Sequence, residues 1–138
     1  MRKIRFVLPL LLSCIIFPTS CKKEPGPGGL ATIKGKVYAY DFTPGKELES
    51  EGYIGDMRVY IAAENDSVAF DDTRTSYNGS FEFPFLHKGH YKVWVFAESD
   101  TLYDSTTHVP GDLQYYLLEV DITDKKQVVT LPDFKLNM

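Results

Sequence analysis

The side chains best suited to metal chemistry are three histidines in a chain of 138 residues. His87 and His90 flank the dipeptide Lys88-Gly89, and His108 lies further along the chain. A zinc site needs about three or four convergent nitrogen or sulfur ligands. The His87–His90 pair supplies too few of them, so we interpret it as a solvated turn and predict no metal site.

Acidic residues gather in one stretch after a predicted strand, at Glu98, Asp100, Asp104 and Asp112. Carboxylate oxygens are the ligands that Ca²⁺ prefers, but this spacing matches no known calcium loop. We therefore expect these side chains to be solvated. The sequence also lacks a glycine-rich phosphate loop and a serine nucleophile motif. These observations predict a protein that is not an enzyme and that holds no diffusible cofactor.

The first 20 residues have the pattern of an export signal. Basic residues at the start are followed by a mostly apolar run from Phe6 to Phe17. A membrane-spanning helix needs ~20 apolar residues, so this run is too short to cross a bilayer. It fits the apolar centre of a signal peptide, and the small residues Thr19 and Ser20 suit a processing site before Cys21.

The tripeptide Thr19-Ser20-Cys21 resembles the lipobox of bacterial lipoproteins, although Pro18 stands where leucine is usual. The resemblance implies a signal peptide over residues 1–20 and a covalent lipid on Cys21. It also implies export and anchoring in the outer membrane, facing the periplasm or the cell surface. Two alternatives remain: lipidation at Cys14, and plain secretion with Cys21 as a free thiol.

Residues 21–30 are predicted to hold the lipidated cysteine and a tether, and residues 31–138 one folded domain. Pro25-Gly26-Pro27-Gly28-Gly29 is a poor sequence for a helix or a paired strand. The chain carries a net charge of −4. Removing residues 1–20, which contain bases and no acid, makes the remainder more acidic. An acidic balance argues against nucleic acid as a partner.

Alternation of apolar and polar residues predicts seven strands and no helix. The clearest cases are Phe81–Phe85 and Tyr91–Ala97. Five more are predicted near residues 33–40, 59–63, 68–76, 116–122 and 128–136. Pro132 suggests an edge or a bulge in the last of them. Seven short strands separated by turn residues predict an all-β, Greek-key β-sandwich.

Residues 73–96, TRTSYNGSFEFPFLHKGHYKVWVF, resemble the carboxypeptidase regulatory-like, transthyretin-like domains, which are related to Cna B-type repeats. Asn78-Gly79 is a strong hairpin signal within that stretch. The resemblance implies a transthyretin/prealbumin-like sandwich in which Tyr91 buries its ring while its hydroxyl caps a loop. An acidic insertion over residues 44–55 departs from the pattern. The resemblance is silent on activity, because folds host many functions.

A candidate binding surface follows from the pairing that the resemblance implies. If the strands near 59–63 and 91–97 are neighbours, Tyr60 lies beside Trp94 and Phe96 on the outer face of one sheet. Tyr115 extends this group from the next strand. Such an aromatic strip suits a protein partner or, as the alternative, a surface carbohydrate. A third alternative is that the 44–55 insertion or a loop covers the strip as a small second core. We therefore expect a lipid-anchored envelope protein that docks a protein partner.

The predicted anchor is tested by Cys21→Ala in the full chain, with Cys14→Ala as the matched control. We expect Cys21→Ala to abolish incorporation of a labelled fatty acid and to move the protein from the membrane to the soluble fraction. Cys14→Ala should keep both the label and the membrane location. Loss of the label in Cys14→Ala alone would contradict the assignment of the lipid to Cys21.

Overall fold

The computed structural model describes residues 24–43, 45, 47–98 and 113–138. The predicted signal peptide, Cys14 and Cys21 lie outside the described residues. Within those ranges no helix is long and apolar enough to cross a bilayer. The described residues form nine strands: β1 (Pro27–Phe42), β2 (Leu48–Tyr53), β3 (Arg58–Ala63), β4 (Asp71–Arg74), β5 (Ser80–Leu86), β6 (Gly89–Glu98), β7 (Leu113–Ile122), β8 (Val128–Thr130) and β9 (Phe134–Asn137).

The strands form two sheets whose inner faces share one core. One sheet is antiparallel and has the order β4-β3-β6-β7. In the other, β1 pairs antiparallel with β5 and β2 and parallel with β8 and β9. The predicted all-β sandwich is therefore confirmed.

The long strand β1 is the centre of its sheet. Val37 accepts a hydrogen bond from the amide of Ile54 (3.1 Å) and donates one to the carbonyl of Gly79 (2.9 Å). Because one residue of a strand directs both polar groups to the same side, β2 and β5 share one edge of β1. The opposite edge holds β8 and β9, as the bonds from Thr32 to Gln127 (2.9 Å) and from Met138 to Tyr40 (2.8 Å) indicate.

The core is built by the alternation that the sequence displays. Apolar side chains at every second position of the long strands point inward and are buried. Burying one such side chain contributes roughly 1.5–3 kcal/mol. The largest fully buried side chains come from both sheets: Tyr91, Phe83, Ile33, Ile61, Leu136, Val37, Val59, Val93 and Val95.

The structure has nine strands where the sequence predicts seven. The predicted last strand is divided into β8 and β9 by a break that contains Pro132, in keeping with its missing amide. The other addition is β2, which forms from the acidic insertion and pairs with β1. Its described residues thus extend the sheet around β1 and do not cover the outer face of the β4-β3-β6-β7 sheet.

The Pro/Gly segment belongs largely to the domain, in contrast to the tether that its composition predicts. Strand β1 begins at Pro27, and Gly26 accepts a hydrogen bond from the amide of His87 (2.9 Å). Gly29 lies so close to β5 that an added Cβ would sit 1.8 Å from the carbonyl oxygen of Leu86. The glycine therefore permits a close backbone approach that holds the segment against the sandwich.

The predicted turn at Asn78-Gly79 is present, but it joins strands of different sheets. It leads from β4, which pairs with β3, into β5, which pairs with β1. Gly79 has a φ of 76°, and the side-chain oxygen of Asn78 accepts a hydrogen bond from the amide of Ser80 (3.1 Å). The turn thus carries the chain across the core and does not close a two-stranded hairpin.

Tyr91 fulfils the role that the sequence predicts for it. Its ring is fully buried, and its hydroxyl accepts a hydrogen bond from the amide of Gly26 (2.8 Å) and donates one to the carbonyl of His87 (2.7 Å). Burial raises the pKa of this phenol. The hydroxyl fastens the start of β1 to the connection between β5 and β6.

Replacing Tyr91 by phenylalanine tests this fastening. The change leaves two backbone groups without their partner, so we expect Tyr91→Phe to lower the free energy of unfolding by about 1–3 kcal/mol. Urea denaturation followed by circular dichroism measures the loss. Tyr77→Phe is the matched control, since Tyr77 is 92% exposed, and it should leave stability unchanged. Equal stability of both variants would contradict a structural role for the Tyr91 hydroxyl.

Candidate functional site

The outer face of the β4-β3-β6-β7 sheet brings the predicted surface residues together. Tyr60 of β3 stands opposite Trp94 of β6, and the next strand places Leu117 opposite Trp94 and Tyr115 opposite Phe96. These five residues form the aromatic face. Side chains of directly opposed residues on one face of a sheet are close enough to interact.

The rings of the aromatic face contact one another. Tyr60 stacks on Trp94, with ring centroids 5.7 Å apart and an interplanar angle of 16°, and meets Phe96 edge to face at 5.8 Å. Tyr115 lies 5.6 Å from Phe96 and 6.3 Å from Trp94. Such pairs contribute roughly 0.5–1.5 kcal/mol beyond area burial. The face is therefore a packed layer rather than a set of separate side chains.

Exposure rises across the aromatic face towards β7. Trp94 is only 9% exposed although it points away from the core, because Tyr60 lies on its ring and β6 has a neighbour on each side. Phe96 is 37% exposed, Leu117 38% and Tyr115 54%. Trp94 thus supports the layer, and Phe96, Leu117 and Tyr115 present apolar surface to solvent.

Charged pairs border the aromatic face. On the side of β4, the guanidinium of Arg58 lies 3.6 Å from the carboxylate of Asp72. At the other end of β6, Nδ1 of His90 lies 2.7 Å from Asp121 and its Nε2 3.9 Å from Glu119. Exposed pairs of this kind contribute about 0–1 kcal/mol each. In these pairs, charged side chains next to the apolar centre bind one another.

His90 lies on strand β6 beside β7. The sequence predicts a solvated turn at this position, and that prediction is wrong. Its hydrogen bond to Asp121 raises the pKa of the imidazole, and burial opposes that shift. Within the described residues, no group of three or more histidine, cysteine or acidic side chains is arranged to hold a metal ion. His108, Asp100, Asp104 and Asp112 lie outside those residues. Glu98 is exposed at the end of β6.

A second aromatic cluster, which we did not predict from the sequence, lies on the outer face of the sheet around β1. Tyr38 contacts Tyr40 and Tyr53 edge to face, with centroids 5.2 and 5.1 Å apart. The hydroxyl of Tyr53 donates to Asp133 (3.1 Å), which raises the pKa of Tyr53, and the ammonium of Lys36 lies 4.5 Å from the Tyr53 ring. The spacing of Tyr38 and Tyr40 was a signal, but Tyr53 comes from the unpredicted strand β2.

Comparison with known proteins assigns no family to this chain. No protein-family model matches the chain, and no curated protein matches its sequence. It is similar to a crystal structure from Pseudomonas aeruginosa that is described as a "putative carbohydrate binding protein". The sequence identity is 13% and the TM-score 0.48, with 78% of this chain and 90% of that chain covered. At this similarity the ligand of the present chain must be argued from its own residues.

The exposure gradient predicts different outcomes for two truncations on the aromatic face. Trp94→Ala should lower the free energy of unfolding by about 3–5 kcal/mol, because it removes a buried ring. Tyr115→Ala should cost less than about 1 kcal/mol, because half of that side chain is already in water. Chemical denaturation of both variants measures the difference. A loss for Tyr115→Ala as large as that for Trp94→Ala would contradict the gradient.

Proposed function

We propose that the chain is a lipid-anchored envelope protein whose sandwich is a non-catalytic binding module. In this proposal the exposed part of the aromatic face, made of Phe96, Tyr115 and Leu117, docks a partner protein. The observation that carries it is a contiguous apolar surface on an outer sheet face, with its aromatic rings already fixed by packing. Rigid aromatic side chains cost little conformational entropy when they bind and often supply most of the energy of an interface.

The chemistry of the exposed side chains favours a protein over a carbohydrate. Phe96 and Leu117 offer no hydrogen-bonding group, and neither does Leu113, which is exposed at the start of β7. A saccharide presents many hydroxyl groups, and each needs a donor or acceptor when it is removed from water. The nearby charged side chains Arg58 and Asp72 are paired with each other, and among Phe96, Tyr115 and Leu117 only Tyr115 carries a hydroxyl group. An apolar centre with a charged border is the usual composition of a protein interface.

The position of the face also fits a domain anchored at its N-terminal end. Only Lys22 to Glu24 separate the predicted lipid site at Cys21 from Pro25, so the end of the sandwich near Gly26 would lie close to the membrane. Gly89 is at that same end, because the hydroxyl of Tyr91 binds Gly26. At ~3.3 Å per residue, Phe96 lies roughly 23 Å further along β6. The proposed docking surface would thus be held away from the lipid headgroups.

The test uses the full chain with Phe96→Ser and Tyr115→Ser combined, and Tyr77→Ser as the matched control. Proteins crosslinked to each form in intact envelopes are identified by mass spectrometry, and each purified form is also applied to a glycan array. We expect the double variant to lose a specific protein that the wild type and Tyr77→Ser retain. Unfolding curves must show that the double variant is folded.

Each result has a defined meaning for the proposal. A glycan that binds the wild type and Tyr77→Ser, but not the double variant, would replace the protein partner with the carbohydrate alternative. Crosslinked proteins and glycan binding that are the same in all three forms would exclude the aromatic face as a binding surface.

A further inference from the structure

The edge strand β7 carries Tyr115 and Leu117 of the aromatic face, and among the described strands it pairs with β6 alone. It follows β6 over its whole length, from Gly89–Ile122 to Glu98–Leu113, without a shift in register. No strand among the described residues pairs with its other edge. Exposed edges in natural proteins are usually protected by lysine, proline, a bulge or short length. Residues 113–118, LQYYLL, carry none of the first three, and the strand is ten residues long.

The direction of the free backbone groups of β7 follows from the hydrogen bonds of β6. The amide of Glu64 donates to the carbonyl of His90 (3.1 Å), so even-numbered residues of β6 direct their polar groups towards β3. The odd-numbered residues of β6 therefore face β7, and their partners there are even-numbered, as in the pair Val95–Tyr116. It follows that the odd-numbered residues of β7 direct their N–H and C=O groups outward.

The same odd-numbered residues carry the exposed apolar side chains of β7. Leu113, Tyr115 and Leu117 are all exposed on the outer face of the sheet. Each therefore presents an apolar side chain together with a backbone donor and acceptor that no described strand pairs with. An alternating row of amides and carbonyls at strand spacing is complemented by another extended backbone. The edge of β7 thus favours an occupant that has both an extended backbone and apolar side chains.

We propose that the outer edge of β7, which no described strand occupies, pairs with an extended strand of the partner protein that continues the β4-β3-β6-β7 sheet. This strand carries apolar side chains where it faces Leu113, Tyr115 and Leu117, and basic side chains where it faces Glu119 and Asp121. The inference rests on the proposed function and states how the partner is held. Main-chain hydrogen bonds supply the pairing, and the aromatic face selects the side chains.

A second copy of this chain fits the edge less well than a partner with that pattern. Antiparallel self-pairing over the full strand would centre on Leu117, and it would place Tyr115 opposite Glu119 and Leu113 opposite Asp121. Each apolar side chain would then cover a carboxylate, which is costly to remove from water. A register shifted towards the carboxyl end would set Glu119 against Glu119. A register shifted towards the amino end would set Tyr115 against Tyr115 and Leu113 against Leu117, but it would leave Glu119 and Asp121 outside the paired region. The net charge of −4 also opposes self-association.

The experiment selects binders from a phage-displayed library of random dodecapeptides on the full chain, and measures their affinities for two variants at one position. Leu117→Pro removes an outward N–H and keeps the ladder to β6, because only the other edge uses that amide. Leu117→Ala removes the same side chain and keeps the amide. We expect the peptides to alternate apolar residues with a basic end. Their affinity should fall at most about tenfold for Leu117→Ala and a hundredfold or more for Leu117→Pro.

The outcomes separate this inference from the proposed function. Equal binding to Leu117→Pro and Leu117→Ala would overturn strand pairing, and so would a library that yields no binder. If such peptides still lost affinity for the Phe96→Ser and Tyr115→Ser double variant, the aromatic face would remain a docking surface without strand addition. A dimer of the full chain that Leu117→Pro dissociates would assign the edge to a second copy and overturn the partner strand.

Discussion

One strand organises half of this sandwich, because every other strand of its sheet pairs with β1 and with no other member. Both edges of β1 are occupied, by β5 and β2 on one side and by β8 and β9 on the other. The backbone must therefore pass close to its neighbours without obstruction. Gly35 meets this need, since a Cβ at that position would lie 2.5 Å from the ring of Phe81. Alternation along β1 then fixes which side chains enter the core.

The outer faces of the two sheets differ in the chemistry of their aromatic side chains and of the groups that these side chains contact. The face of the β4-β3-β6-β7 sheet is apolar at its centre, and its rings pack into a layer that buries Trp94. The face around β1 is made of tyrosines whose hydroxyls and rings engage charged groups such as Asp133 and Lys36. Within this one aromatic layer, the covered members stabilise the sheet and the outer members meet solvent.

Much of the fold was accessible from the sequence, because period-two alternation and turn residues are local signals. The role of the Tyr91 hydroxyl and the pairing of Tyr60 with Trp94 were predicted correctly. Strand β2 was not, since its polar sequence, LESEGY, has no alternation of its own and depends on pairing with β1. Alternation assigns Trp94 to the outer face, but it cannot reveal that a ring from another strand covers it. The docking of Gly29 was missed because close backbone approach is a tertiary property.

The Tyr91 fastening has a mechanical consequence for a domain tethered through its N-terminus. A pull on the chain before Gly26 would load β1 along its own axis, in shear. Hydrogen bonds to the strands on both edges would share that force and would have to break together rather than one after another. The contact between Tyr91, Gly26 and His87 would carry the first load before it reached the sheet. If the lipid anchor proposed at Cys21 is present, its pull would therefore meet the hydrogen bonds on both edges of β1 at once.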